Sequence, residues 1–302
     1  MTTARPSRLV LGTVQFGLAY GATNTGGQVS ETEAANILSA AEDAGIGTLD
    51  TAPAYGGSEA VLGRLGAGRN FAVITKTAAL PSRCNAAEAA RRLDEGLTRS
   101  LKSLRLSTVD GLLLHQSNLL GTPLAATIIE FLHAARADGR ARRIGVSVYE
   151  GAAIDHALAV FTPDIVQLPY NLLDQRMARF GHLVKLKARG VEVHARSLFL
   201  QGALLADPDK LPPPVAHAPA AFAAIAATAR QHGLSRIALA LAVGFANLQI
   251  DRLVLGVTAR SELDEILAAV RSLPAALPDL TALAIDDATI LDPSRWPPPS
   301  RS

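Results

Sequence analysis

Four residues whose side chains can carry or transfer a proton lie at or just past the ends of short apolar runs: Asp50, Tyr55, Lys76 and His115. In an α/β barrel the ends of the strands hold the chemistry, so their placement matters as much as their types. A carboxylate, a phenol, an ammonium and an imidazole that met at one such edge would form a proton-transfer site.

Lys76 closes an otherwise apolar run in a chain that has few lysines. A buried ammonium needs a partner, and Asp50, at the end of the preceding run, is the adjacent carboxylate. Such a pair is by itself more often structural than catalytic. Tyr55 changes that balance, because a phenol has an ordinary pKa near 10 and a neighbouring ammonium should lower it. We therefore expect Tyr55 to act as a general acid.

His115 follows three leucines, a place where a lone histidine is usually a packed core residue. Beside a phenol at a barrel mouth, it would instead orient a carbonyl group or relay a proton. The remaining histidines have no ligand spacing to cysteine or to carboxylates. We therefore expect no metal site.

The composition bounds the class of protein. Of 302 residues, 49% are hydrophobic, which is enough to fill a large core, and the net charge of +2 gives no reason to expect a nucleic-acid partner. The single cysteine, Cys84, excludes an internal disulfide and fits a reducing compartment. The segment from Met1 to Pro6 lacks the apolar core of a signal peptide, and no apolar run is long enough to span a bilayer. We expect a cytoplasmic protein without a membrane partner.

The elements that must position these residues alternate along the chain. Strands are predicted over 9–14, 45–50, 71–76, 109–115, 143–148, 165–168, 191–195 and 252–257. Helices are predicted between them, including 30–44, 86–104 and 179–189, with Leu211–Pro214 as a loop. Eight strands that each precede a helix predict an α/β fold, a single-domain (β/α)8 TIM barrel over 1–302. Residues 274–302 form a C-terminal appendage that we expect to cover an outer helix face rather than to line a pocket.

The segment Leu-Asp-Thr-Ala-Pro-Ala-Tyr-Gly at 49–56, the lysine at the end of its strand and Leu112–His115 resemble the aldo-keto reductase superfamily. The resemblance extends in the same order from Leu9 to about Ala268. It implies an NAD(P)-dependent oxidoreductase that passes a hydride between nicotinamide and the carbonyl carbon of a small aldehyde, ketone or sugar-like substrate. In such enzymes the tyrosine supplies or removes the proton and the lysine lowers its pKa. The aspartate pairs with the lysine, and the histidine positions the carbonyl.

The resemblance also implies residues that hold the nicotinamide half of the cofactor. Gly12 and Thr13, with Asp50, correspond to the segment near the nicotinamide ribose, and Ser147 and Gln167 to the pair that holds the carboxamide. Arg196, Ser197 and Leu198 take the place of a segment whose first residue is commonly an aromatic stacked on nicotinamide. A guanidinium also stacks on planar rings, so Arg196 either replaces that aromatic or is a solvated or ion-paired arginine.

The adenosine phosphate is expected between the last strand and its helix, at Thr258 and Arg260, because amides at a helix N-terminus bind phosphate. Arg260 would neutralise the 2′-phosphate of NADP. However, Glu262 falls where relatives that use NADP place a basic residue. The family habit slightly favours NADP(H), and Glu262 leaves NAD(H) open.

Two other functional classes fit parts of the sequence. The first is a regulatory barrel that binds nucleotide with little turnover, like the channel-associated members of the superfamily. The presence of Tyr55 counts against it, because nucleotide binding alone does not require this residue. A phosphate-binding lyase or isomerase would leave Ser147 and Gln167 unexplained. There is no G-x-G-x-x-G segment after a strand, so a Rossmann dinucleotide fold has no support.

Overall fold

The computed structural model describes residues 5–296, and eight parallel strands form a closed barrel within them. The strands are β1 (Leu9–Gly12), β2 (Thr48–Asp50), β3 (Ala72–Lys76), β4 (Gly111–Leu114), β5 (Ile144–Ser147), β6 (Ile165–Pro169), β7 (Glu192–Arg196) and β8 (Arg252–Gly256). Each strand pairs with its sequence neighbours, and β1 closes the ring on β8 with Gly12 opposite Gly256. The predicted TIM barrel is confirmed, and it is a single domain.

Helices cover the outside of the barrel. They are α1 (Val14–Gly17), α2 (Glu31–Asp43), α3 (Ser58–Arg64), α4 (Ala86–Leu104), α5 (Ala125–Ala137), α6 (Gly151–Val160), α7 (Arg176–Arg179), α8 (His182–Lys187), α9 (Pro219–Gln231), α10 (Arg236–Ala246), α11 (Arg260–Ser272) and α12 (Ala288–Leu291). Ser30 caps α2, because its hydroxyl accepts the Glu33 amide at 3.2 Å, as the capping-box pattern predicts. No helix in the described segment is both long and apolar enough to cross a bilayer.

The observed elements differ from the predicted ones mainly at their ends. The strand predicted from Gly45 begins at Thr48, because Gly45 takes a φ of 78° and its amide bonds Glu42 to close α2. The helix predicted over 179–189 is the shorter α8, and a separate short helix, α7, ends at Arg179. Gly181 separates them in the left-handed conformation, with φ 77°.

Two apolar layers support the barrel. The larger packs the outer strand faces against the helices, with Leu49, Leu112 and Leu168 fully or almost fully buried. A separate cluster of Ile74, Leu113 and Ile165 fills the interior of the barrel. The interior positions above it, nearer the carboxyl ends of the strands, are polar. This switch from apolar to polar places the chemistry at one end of the barrel.

The described part of the C-terminal appendage, residues 274–296, packs on the loop after β6 and on α9. Ile285 donates its amide to the Leu173 carbonyl at 2.9 Å, and Gln175 donates its side-chain amide to the Leu280 carbonyl at 2.9 Å. Residues 297–302, which belong to the same predicted appendage, lie outside the described residues.

Candidate active site

A cavity of about 780 Å³ opens at the carboxyl ends of the strands. It brings together most of the residues that the sequence singles out: Gly12, Thr13, Asp50, Tyr55, His115, Ser147, Gln167, Arg196, Ser197, Leu198 and Thr258. Lys76 lies beside this lining and is 2% exposed. Arg260 is not among the lining residues. The four residues that the sequence predicts for proton transfer therefore meet at one end of the barrel.

Lys76 is held by oxygen atoms of β2 and the loop after it. Its Nζ donates to Asp50 Oδ1 at 2.7 Å and to the Thr51 carbonyl at 3.0 Å. The same Nζ lies 4.8 Å from the centroid of the Tyr55 ring. Burial opposes the charged form, but Asp50 and Tyr55 outweigh it and raise the Lys76 pKa above its usual value. Lys76 is therefore a fixed cation beside the phenol.

The pKa of Tyr55 moves in the direction opposite to the one expected from its neighbour. Burial raises this pKa, and the attraction of Lys76 opposes the rise without cancelling it. The expectation of a lowered pKa was incomplete because the sequence does not show how deeply the ring is buried. Tyr55 is therefore a protonated phenol at neutral pH, which can donate its proton.

His115 packs edge-on against Tyr55, with ring centroids 6.2 Å apart and planes at 87°. Its backbone amide donates to Thr77 Oγ1 at 3.2 Å, which links the ends of β3 and β4. Burial, followed by the charge of Lys76, lowers the His115 pKa to about 4. The imidazole is therefore neutral in the physiological range and can donate one hydrogen bond to a carbonyl oxygen.

A buried hydroxyl that the sequence did not reveal positions the Tyr55 loop. Ser58 Oγ donates to the Thr13 carbonyl at 2.8 Å and lies 2.8 Å and 3.1 Å from the hydroxyls of Thr13 and Thr51. Thr13 also donates its hydroxyl to the Asp50 carbonyl at 3.0 Å. The Thr13 hydroxyl, which the resemblance places near the nicotinamide ribose, is thus part of the hydrogen-bond network that holds the Tyr55 loop. Ser58 begins α3 and resembles an ordinary helix start, so its sequence context carries no sign of this role.

Gly17 allows the same loop to approach α1. A Cβ added at Gly17 would lie 1.8 Å from the Tyr55 carbonyl oxygen and 2.4 Å from the Ser58 amide nitrogen. The backbone that carries Tyr55 therefore rests directly on the backbone of Gly17. Any side chain at this position would displace the loop.

The Gln167 amide lines the cavity and is bonded to Asp50. Its Nε2 donates to Asp50 Oδ2 at 2.7 Å, while its buried Oε1 accepts no hydrogen bond from residues 5–296. A primary carboxamide offers both N–H donors and a carbonyl acceptor, and the Ser147 hydroxyl beside this cavity can serve that acceptor. An unpaired buried acceptor is costly, so the polar atoms present fit the carboxamide of a nicotinamide cofactor.

Arg196 stacks on a protein ring. Its guanidinium carbon lies 4.1 Å from the centroid of the Tyr149 ring. Its Nη2 donates to the Val148 carbonyl at 3.0 Å and its Nη1 to Ser197 Oγ at 3.2 Å. Tyr149 could not be identified from the sequence as the stacking partner, because it lies two residues past the end of β5, far from Arg196 along the chain.

Gln15 is a second pocket residue that the sequence did not reveal. It lines the cavity, is 9% exposed, and its Oε1 has no hydrogen-bond partner in the described part of the chain. A Cβ at Gly256 would lie 2.6 Å from that oxygen, so the glycine leaves room for the amide.

Carboxylates occupy the turn between β8 and α11. Glu262 accepts the Thr258 amide at 2.6 Å and its hydroxyl at 2.9 Å. Glu33 of α2 accepts the Arg260 amide at 2.6 Å, and the Arg260 guanidinium lies 3.6 Å from Asp264. The donors expected to bind an adenosine phosphate are thus bonded to acidic side chains. No cluster of three or more His, Cys, Asp or Glu side chains within residues 5–296 could hold a metal ion.

Comparisons with known proteins agree with this geometry. The chain is 34% identical over 189 residues to the aldo-keto reductase YhdN of Bacillus subtilis, a match covering 58% of this chain and 54% of YhdN. The chain thus spans about half the length of that relative. It is 27% identical over 305 residues to L-galactose dehydrogenase of Arabidopsis thaliana, covering 93% of this chain and 92% of that protein. A putative voltage-gated potassium channel subunit beta of Schizosaccharomyces pombe is 33% identical over 168 residues, 52% of this chain and 45% of that protein.

Solved structures share the fold. An aldo-keto reductase from Bacillus halodurans in its holo form superposes with a TM-score of 0.70 at 20% identity, covering 95% of each chain. A putative aldo-keto reductase from Pseudomonas aeruginosa gives a TM-score of 0.64 at 23% identity over 87% of this chain and 88% of that one. The aldo/keto reductase family model matches residues 8–279. The chain therefore belongs to the aldo/keto reductase family, whose members are oxidoreductases that typically use nicotinamide cofactors.

Proposed function

We propose that this protein reduces a small aldehyde, ketone or sugar-like carbonyl compound with a nicotinamide cofactor, and that Tyr55 donates the proton. One observation carries the proposal: the Lys76 ammonium is buried between Asp50, at 2.7 Å, and the Tyr55 ring, at 4.8 Å. Holding a buried cation beside a phenol requires a dedicated carboxylate partner, because an uncompensated buried charge is strongly destabilising. Binding of a nucleotide alone would not require this arrangement.

The residues have distinct tasks in the reduction. The chemistry that a bound nicotinamide supplies is a hydride for the carbonyl carbon. Tyr55 donates its phenolic proton to the carbonyl oxygen, which leaves an alcohol and a phenolate beside Lys76. The ammonium stabilises that phenolate, and neutral His115 donates a hydrogen bond that orients the carbonyl. In the reverse reaction the Tyr55 phenolate takes the proton from the alcohol.

Ser147, Gln167 and Gly12, which all line the cavity, would hold the nicotinamide half. For the adenosine half, the sequence slightly favours NADP(H), whereas the contacts of the turn after β8 argue for NAD(H). Glu262 already takes both Thr258 donors, and its negative charge would repel a 2′-phosphate. We therefore propose that both nucleotides bind and that NAD(H) is favoured.

The test is absorbance at the nicotinamide band with a panel of aldehydes, ketones and aldoses and with each cofactor. Tyr55→Phe should abolish turnover while cofactor binding, followed by nicotinamide fluorescence, survives. Tyr170→Phe removes a phenol that bonds Asn247 rather than lining the cavity, so it serves as the matched control. If Tyr55→Phe kept a near-normal kcat, Tyr55 would not be the proton donor.

A regulatory barrel is the second candidate. The observation that favours it is the local similarity to a putative channel beta subunit. Such a protein would bind NAD(P)H tightly and turn over no carbonyl compound in the panel, and Tyr55→Phe would then leave all measured properties unchanged.

A further inference from the structure

Arg196 lines the cavity, and among the described residues its guanidinium has no counter-ion. It is half-buried, and no carboxylate within residues 5–296 lies at ion-pair distance from it. By contrast, the Lys76 ammonium at this end of the barrel has Asp50 at 2.7 Å. Partial desolvation of a guanidinium costs free energy that a nearby anion would offset.

The guanidinium is also held in place. Stacking on Tyr149 and the hydrogen bond to the Val148 carbonyl fix its plane, while only two of its five N–H groups have partners among the described residues. The remaining N–H groups can donate to an oxyanion. A pre-oriented fork of this kind is the geometry that proteins use for carboxylate and phosphate groups.

The aromatic residues around Arg196 suit a ring-shaped or polyhydroxylated ligand. Tyr20 and Tyr149 both line the cavity, and each is 40% exposed. Tyr20, Tyr149 and Arg196 all line this cavity. Burial raises the pKa of Tyr20; the nearby Tyr149 adds to the rise and Arg196 opposes it. Tyrosine rings offer apolar faces for C–H groups and hydroxyls for hydrogen bonds.

We propose that the substrate carries a carboxylate or phosphate on a sugar-like skeleton, and that Arg196 binds this anion beside Tyr20 and Tyr149. The inference rests on the proposed carbonyl reduction and specifies its substrate class. It gives Arg196 a role in selecting the substrate, in place of stacking on the cofactor. Tyr149 is then a positioning residue that keeps the guanidinium plane fixed.

Matched pairs of compounds test the proposal: galactose against galacturonate, and glyceraldehyde against glyceraldehyde 3-phosphate. The readout is the ratio of kcat/KM between the anionic and the neutral member of each pair. We expect the wild type to favour the anion by about 10- to 100-fold, the usual effect of charge-assisted hydrogen bonds. The pair with the larger ratio distinguishes carboxylate from phosphate.

Variants locate the effect at Arg196. Arg196→Met should bring the ratio close to one, and Arg196→Lys should restore part of it because the charge returns without the planar fork. Arg99→Met removes an equal charge from the exposed face of α4 and should leave the ratio unchanged. Raising the salt concentration should lower the wild-type ratio.

Three results would overturn the proposal. The first would be equal kcat/KM of the wild type for the anionic and the neutral member of each pair. The second would be an equal loss of kcat/KM for both members in Arg196→Met, as a purely structural role requires. The third result would be that Arg196→Met weakens the binding of NADH and NADPH by the same factor by which it lowers the anionic-to-neutral ratio of kcat/KM. Arg196 would then act on the cofactor.

Failure of carbonyl reduction itself is recognised separately, because no compound would then oxidise NADH or NADPH. In that case calorimetric titration decides the role of Arg196. An anion site is supported if the wild type binds galacturonate or 3-phosphoglycerate but neither galactose nor glycerol, and if Arg196→Met loses this binding. Equal or absent binding rejects it.

Discussion

Gln167 donates a 2.7 Å hydrogen bond to one oxygen of Asp50, whose other oxygen accepts from Lys76 at 2.7 Å. Asp50 therefore connects two groups: the Gln167 amide, proposed to hold the nicotinamide, and the Lys76 cation beside Tyr55, the proposed proton donor. Reversing the Gln167 amide would set its oxygen against Asp50, so the carboxylate also fixes which amide atom remains for a ligand.

Gln167→Ala should weaken NADH and NADPH binding by about tenfold, because it removes an acceptor for the carboxamide and leaves Asp50 Oδ2 unpaired. Calorimetric titration with each nucleotide gives the affinity. Gln231→Ala, at the outer end of α9, is the control and should bind as the wild type does. Unchanged affinity in Gln167→Ala would remove this residue from the cofactor site.

The Tyr55 pKa sets the pH dependence of the two reaction directions. Because this pKa lies above its usual value, reduction should persist across the neutral range, where the phenol is protonated. Alcohol oxidation requires the phenolate, so its rate should still be rising at about pH 10. Initial rates in both directions between pH 6 and about pH 10.5 test this expectation. An oxidation rate that levels off near neutral pH would mean that the phenol is far more acidic than its burial implies.

Glu262→Arg should strengthen NADPH binding selectively. The change frees the Thr258 amide and hydroxyl and places a cation where a 2′-phosphate would lie. Glu262→Gln separates loss of negative charge from gain of positive charge, and it should give a smaller shift in the same direction. The dissociation constants of NADH and NADPH provide the measurement. Equal changes for both would place the 2′-phosphate elsewhere.

Glu192, at the start of β7, should stabilise the fold in a pH-dependent way. A hydrogen bond from His194 lowers its pKa from 4.5 to about 2 against the effect of burial, and the nearby Arg143 and Arg252 guanidinium groups lower it further. A lowered carboxyl pKa contributes stability that is complete above about pH 4.5 and is lost as the pH falls towards about 2.

Glu192→Gln should therefore reduce the free energy of unfolding by about 2–3 kcal/mol at pH 7 and by much less at low pH. Urea unfolding at several pH values measures the difference. Glu130→Gln, on the exposed face of α5, is the matched control. A pH-independent difference would assign the effect to packing instead of ionisation.

Gly17→Ala should lower kcat by at least tenfold, because its methyl group would displace the backbone of Tyr55. The adjacent loop offers a control: a Cβ at Gly57 meets no atom within 4 Å, and the residue has an ordinary φ of −83°. Gly57→Ala should therefore retain most of its activity. Similar losses in both variants would indicate general sensitivity of the loop.

The sequence predicted the barrel and the meeting of Asp50, Tyr55, Lys76 and His115 because each follows an apolar run along the chain. Fully buried parallel strands appear in a sequence as continuous apolar runs, and closure into a barrel brings the carboxyl ends of these strands together. Features that depend on long-range packing were not predictable. The burial that raises the Tyr55 pKa and the Tyr149 ring under Arg196 are of this kind.

Local ambiguity explains the other differences. A glycine inside a helical pattern is compatible with a continuous helix, so the break at Gly181 was not visible in the sequence. Ser58 has the sequence context of a helix start, although its hydroxyl joins three segments. The sequence shows Glu262 only as a negative charge in this turn. Its hydrogen bonds to Thr258 depend on its side-chain conformation, which the sequence does not reveal.

The interior cluster of Ile74, Leu113 and Ile165 closes the barrel beneath the polar layer. Substrate and product must therefore pass through the same mouth, at the carboxyl ends of the strands. A nicotinamide beside Gln167 and Asp50 would lie deeper than the Arg196–Tyr149 stack at the rim. With the two groups at these depths, we expect the cofactor to bind before the substrate and to leave after the product.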